Sequence, residues 1–118
     1  MTLSQELVEA IESERASIRS PFPLWLRPMV MREVDAITLG RRIYIREEAA
    51  PHLDRLVRHE LEHVRQIRRQ GILRFYLAYL FEYGRNRVRG MSGVEAYRAI
   101  SFEREAEAEE QAGSARDI

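Results

Sequence analysis

The apolar positions of the chain divide it into a helical start, a proline-broken stretch, a short alternating segment and then helices. Between residues 4 and 18, Leu7, Val8, Ile11 and Ile18 lie on one side and glutamates on the other. That spacing predicts an amphipathic helix over 4–18, with Ser4 as its N-cap. Pro21, Pro23 and Pro28 then make 20–28 an extended, non-helical connector, pinned to the surface by Phe22, Trp25 and Leu26. Residues 29–46 form the β portion: Val30, Val34, Ile37 and Leu39 precede Gly40-Arg41, and Ile43-Tyr44-Ile45 follow. The pattern predicts a hairpin turning at Gly40 and Arg41. The strand at 43–46 is also a candidate edge for binding an extended peptide.

From Pro51, placed for a first helical turn, to Gln70, the apolar residues are Leu53, Leu56, Val57, Leu61, Val64 and Ile67. Steps of three and four predict a helix with one buried stripe, leaving Arg55, Arg58, Arg65 and Arg69 on the wet side. Gly71 ends it. Residues 72–89 predict a second long helix whose stripe of Leu73, Tyr76, Leu77 and Leu80 packs on the first. After the break at 90–93, Ser92 and Glu95 form a capping-box pattern for a helix through Tyr97. Ser101 caps another over 102–111, and 113–118 is a frayed tail. The expected fold is α+β, mainly helical, with a small hairpin or sheet before the central helix. It forms one domain over 1–118: helix and connector to 28, core over 29–112, then the tail.

Chemistry enters on the central helix. His59-Glu60-x-x-His63 puts two histidines on one helical face, spaced to grip a zinc ion, with a glutamate to act as base on a water that the ion activates. The helical wheel places Glu60 within the apolar stripe, where a carboxylate costs several kcal/mol unless neutralised, paired or beside a metal. His52 precedes the motif by two turns and reads as a surface residue. The chain has no cysteine, so any zinc is held by nitrogen and oxygen, and a disulfide framework or thiol nucleophile is excluded. The formal net charge of zero argues against a nucleic-acid partner. The longest apolar run, 72–81, is too short to span a bilayer, and the acidic first 19 residues do not read as a signal peptide. A cytoplasmic protein is the expectation.

Two histidines need a third ligand, and no later histidine exists to supply it. A carboxylate from a later helix is required, and Glu103 and Glu107, four apart, share one face. One of them can bind zinc while the other accepts the N–H of a ligating histidine. Glu82 and Glu95 are competing ligands. With this, the chain resembles the gluzincin metallopeptidases, in particular their minimal members: His59-Glu60-x-x-His63 followed on a separate helix by Glu103-x-x-Ala106-Glu107. The resemblance spans roughly 37–111, and its specific part is the two motifs. It implies His59, His63 and Glu103 as zinc ligands, Glu107, where the family usually has aspartate, orienting His59, and Glu60 as general base.

The expected function is that of a zinc metalloendopeptidase acting on a peptide or protein substrate, with Tyr97 stabilising the oxyanion and Tyr44 and Tyr83 as alternatives. The alternative is a zinc-binding interaction module that is catalytically silent or latent, for instance with the chain from Glu103 onward filling the open zinc position. A di-iron bundle is disfavoured, because it needs a second Glu-x-x-His and there is none.

Overall fold

In a computed structural model, which describes residues 3–30, 34–46 and 53–116, the chain is mainly helical with one small sheet, an α+β protein. Helix α1 (Gln5–Ser13) is capped by the Ser4 hydroxyl, which accepts from the Leu7 N–H. It stops well short of Ile18. The Ala16 N–H bonds to the Ile11 carbonyl and the Arg15 N–H to that of Glu12, a Schellman closure, with Arg15 at φ 55° where glycine is usual. What overrides helical periodicity is strand pairing: β1 (Ser17–Arg19) runs parallel to β3 (Arg42–Ile45), with Ile18 opposite Ile43.

The hairpin forms where the sequence predicts it. Strand β2 (Ala36–Leu39) turns through Gly40, at φ 66°, and pairs antiparallel with β3, Thr38 opposite Ile43. The sheet order is β1-β3-β2, so β3 is central and β1 and β2 are the edge strands. The expectation that residues 43–46 would offer a peptide-binding edge is corrected accordingly. One sheet face sends Ala36, Ile43 and Ile45 into a core with Leu7, Val57, Leu61 and Val64. The other places Tyr44 against Phe22 and Leu26. The connector is not fully extended: Leu26 turns back onto the Pro23 carbonyl, and Arg27–Met29 form a 3-10 turn. The proposed start at Pro51 and the surface assignment of His52 lie outside the described residues.

Helix α2 (Leu53–Gln70) crosses the sheet and buries Val57, Leu61, Val64 and Ile67, together with Glu60 and His63. Arg58, expected on the wet side, is buried as well. Glu14 ties α1 to α2 through Arg65 at 3.5 Å and Arg68 at 3.2 Å. Helix α3 (Ile72–Val88) departs from expectation in its orientation: Leu73, Leu77 and Leu80 point outward, and Phe75 is its buried apolar residue. Tyrosine hydroxyls account for this. Tyr76 donates to the Thr38 carbonyl at 2.9 Å and accepts from the Gly40 N–H at 3.0 Å, which docks α3 on the β2 turn. Tyr79 reaches into the middle of the molecule. Helix α4 (Gly93–Arg98) starts at Ser92, as the capping pattern predicts. Helix α5 (Ser101–Arg116) runs alongside α2, burying Glu103 and Ala106, and continues as a helix beyond residue 113, where fraying was expected.

Candidate metal centre

Helix α2 brings His59, Glu60 and His63 to the seam it shares with α5. Their side chains form a cluster with potential ligand atoms within 4.8 Å of one another, able to hold a metal ion. The deciding neighbour comes from α5. The Glu103 carboxylate places Oε1 2.7 Å from His59 Nε2 and Oε2 3.0 Å from His63 Nε2. Tyr79 of α3 donates to the same Oε2 at 2.5 Å.

Both histidines are oriented from behind. His63 Nδ1–H donates to the Gln66 side-chain oxygen at 2.8 Å, and the Gln66 amide donates to the Phe102 carbonyl at 3.1 Å. His59 Nδ1–H donates to Glu110 Oε1 at 3.1 Å, and the other oxygen of Glu110 faces Arg55 at 3.4 Å. With each Nδ1 engaged, both Nε2 atoms turn towards Glu103, the arrangement metal-ligating histidines adopt. The partner of His59 is therefore Glu110 and not Glu107. Glu107 is exposed, lines a cleft beside the site, and makes no hydrogen bond to His59 among the described contacts. Residues 103, 107 and 110 share one helical face, but the line along which α5 passes α2 favours the more distant carboxylate.

Glu60 sits deepest, 4% exposed. The Thr38 hydroxyl lies 3.0 Å from its Oε1 and 3.1 Å from its backbone carbonyl oxygen, and Oε2 is 4.0 Å from His59 Nε2. It is thus anchored from β2 and set just behind the two nitrogens. Glu82 and Glu95 are removed as rival ligands. Glu82 caps α5, accepting from the Ser101 N–H at 2.9 Å and its hydroxyl at 2.8 Å, while Glu95 is exposed in the first turn of α4. Tyr44 is packed against Phe22 and Leu26, so it is no oxyanion donor. Tyr97 and Tyr83 do line the cleft.

The electrostatics follow from burial and from Glu103. Burial alone would lower the pKa of His63, but the Glu103 carboxylate close beside it, helped by Glu60 and Gln66, pushes it up to about 9. His59 is raised in the same way, with burial opposing Glu103 and Glu60. Burial likewise opposes ionisation of Glu103, yet the two histidines and Tyr79 hold it well below the usual carboxylate range. Glu60 is raised, because burial outweighs the attraction of the histidines. Burial foremost, then the charge of Glu103, raises Tyr79 and Tyr97, so both hydroxyls keep their protons as donors.

The residues fit a metal ion. His63 Nε2 is fully buried and has no hydrogen-bond partner, since Glu103 Oε2 is close but not aligned for one. A buried nitrogen left this way costs free energy that a metal would recover. Ligands about 2.0–2.1 Å from a tetrahedral zinc stand about 3.3 Å apart, a few tenths beyond the present separations from Glu103. Of the two carboxylates, Glu103 lies nearer both nitrogens, while Glu60 completes the cluster with the two histidines and has one oxygen held by Thr38.

The histidine pKa values set an expectation for the metal-free protein. The folded pKa of His63 lies above its ordinary 6.5, so its protonation stabilises the fold. That contribution is complete below pH 6.5 and disappears as pH rises through 9, a loss of about 3 kcal/mol. The raised Glu60 acts in the same direction. Denaturant titrations of chelator-treated protein between pH 6 and 9.5 should show falling stability, and a flat profile would contradict the charged His63–Glu103 pair. Zinc uptake at pH 7 should release at least one proton, measurable in a weakly buffered indicator solution.

A cavity of about 580 Å³ opens in front of the site between β2 and α3, lined by Ile37, Leu39, Phe75, Tyr76, Tyr79 and Tyr83 and reaching Glu60, His63 and Glu103. A smaller cleft of about 350 Å³ carries Asp35, Arg98 and Glu107 and shares Glu60, Tyr97 and Glu103 with it. The site thus sits where an apolar and a polar recess meet.

The segment building this arrangement has a counterpart among known families. Residues 30–71 match the eCIS core domain. That domain is linked to metallopeptidase-like proteins and to extracellular contractile injection systems. The matched stretch contains the β2–β3 hairpin and all of α2, hence His59, Glu60 and His63, but little over a third of the chain. Glu103, Glu110, Tyr79 and Tyr97 lie beyond it. No curated protein and no solved structure gave a match. Among the described residues no helix is long and apolar enough to cross a membrane.

Thr38, Gln66, Tyr79 and Glu110 are the site residues that sequence reasoning missed. Gln66 alone left a signal, a polar residue three after His63 on the buried side of its helix.

Proposed function

We propose that the chain is a zinc-dependent peptidase of gluzincin type, with His59, His63 and Glu103 as ligands. The observation that carries this reading is Glu60: a buried carboxylate held by Thr38 directly behind two convergent histidine nitrogens, at the head of an open cleft. A structural zinc site has no use for an uncoordinated carboxylate there, whereas hydrolysis needs one. Bound zinc supplies Lewis acidity, lowering the pKa of a coordinated water to about 7 and polarising a carbonyl.

The chain's own groups do the rest. Glu60 Oε2, the oxygen not held by Thr38, accepts a proton from the attacking water and returns it to the departing amine. Its raised pKa suits that exchange. Tyr97, protonated and facing both recesses, donates to the developing oxyanion. Edge strand β2 runs along the larger cavity and, ahead of Thr38, whose carbonyl Tyr76 takes, can pair with an extended peptide backbone, which gives the substrate its direction. The metallopeptidase link of the eCIS core domain supports the reading.

The test is to strip the protein of metal, restore zinc and incubate it with a mixture of random-sequence peptides, reading new N-termini by mass spectrometry. Cleavage that needs zinc and stops with chelator is expected. Stoichiometric zinc without any new terminus would reduce the chain to a metal-binding module.

A further inference from the structure

Helix α3 is apolar on both sides. Its inner side carries Phe75, Tyr76 and Tyr79, while its outer side presents Leu73 at 71%, Leu80 at 65%, Phe81 at 68% and Val88 at 89% exposure, with Leu77 between them. A helix apolar all round is normally covered on every side. Apart from α3, the large exposed apolar residues among those described are Leu24 and Trp25, so this stripe is the main uncovered apolar surface.

The stripe has a shape and a charge. Leu73, Leu77, Leu80 and Gly84 follow one another at four, three and four residues, the repeat with which one helix seats against another. Gly84 stands mid-helix, at a cost of about 1 kcal/mol relative to alanine. Nothing inside the molecule requires it, since a Cβ added there would meet no described atom within 4 Å. It leaves a notch on the outer side, of use to an approaching side chain or backbone. Along the rims lie Arg74 and Arg85 on one side and Arg87 on the other; Glu82, the one acid of α3, caps α5 and stands 4.0 Å from Arg85, leaving the rims net basic. Leu80 belongs both to the stripe and to the wall of the 580 Å³ cavity, so this surface runs on into the mouth of the site.

We propose that the outer stripe of α3 docks an amphipathic helix of a separate protein, one whose apolar seam is flanked by Asp or Glu. A second copy of this chain fits poorly. Pairing α3 with α3 sets arginine against arginine, and among the described residues the other helices expose no large apolar side chain. A lipid surface would accept the arginines, but it has no use for a three-four repeat or for a notch at its centre. The inference stands apart from the zinc reading, because docking needs neither metal nor Glu60.

The test uses the full chain and two labelled three-heptad peptides with the same leucine seam, one flanked by glutamate and one by lysine. Fluorescence anisotropy should show the acidic peptide binding at least about ten-fold more tightly. Leu77→Glu should abolish that binding, and the double variant Arg74→Glu, Arg85→Glu should reverse the preference. These positions are exposed, so unchanged circular dichroism and zinc content would verify the fold. Equal binding of both peptides, or binding indifferent to Leu77→Glu, overturns the proposal. So does self-association, or adsorption to phosphatidylserine vesicles, that Leu77→Glu removes while neither peptide binds.

Discussion

Glutamine at position 60 is expected to lower turnover about 10²–10⁴-fold while zinc content stays at the wild-type level. The substitution is nearly isosteric, and its amide oxygen can still accept from the Thr38 hydroxyl 3.0 Å away. What disappears is the basic oxygen beside the two histidines. The same change should raise the melting temperature of the metal-free protein. Burial pushes the Glu60 pKa up, so at neutral pH its ionisation opposes folding, and a neutral amide removes that cost. A variant that is stabler, fully metallated and inactive is what a base kept for chemistry predicts. Elemental analysis, calorimetry and kcat on one preparation would decide it. Unchanged turnover would take the general-base role from Glu60.

That residue was also the most legible feature of the chain. Helical periodicity places α2, and a carboxylate amid its apolar stripe points to a site. Glu103 could be reached by asking which later helix offers a carboxylate beside an apolar face. The remainder depended on how elements cross, which periodicity does not encode. Residues 107 and 110 lie on the same face of α5, and only its path past α2 sets Glu110 against His59. Of the expected α3 stripe of Leu73, Tyr76, Leu77 and Leu80, Tyr76 faces inward and the three leucines face out. Tyr76 and Tyr79 fill inner positions by virtue of hydroxyls that bond the β2 turn and Glu103. At Ile18 a three-residue parallel pairing with β3 outweighed a continuing helical pattern. Within α2 the missed residue was Gln66, a reminder that a buried amide near a histidine merits the same attention as a buried acid.

Alanine at Glu103 is expected to have the largest structural effect. In the metal-free protein this carboxylate faces two histidine nitrogens and the Tyr79 hydroxyl. Its loss leaves the histidines without their counter-charge in a buried seam, and removing one partner of such a pair typically costs about 3–5 kcal/mol. Both histidines should then titrate lower, because the group that raised them most is gone and burial is opposed only by Glu60 and, at His63, by Gln66. The decline of metal-free stability between pH 6.5 and 9 should shrink with them. Zinc retention should drop together with stability, since two nitrogens are fewer than a catalytic site needs. Glu103→Gln separates the causes: it keeps a group that can bond Tyr79 and fill the space, so it should recover much of the stability but little of the zinc. Wild-type zinc in both variants would move the third ligand to Glu60, whose carboxylate is the other one within reach of His59 and His63. In that case Glu60 could not also serve as the free base, and the Glu60→Gln variant would lose its metal along with its activity.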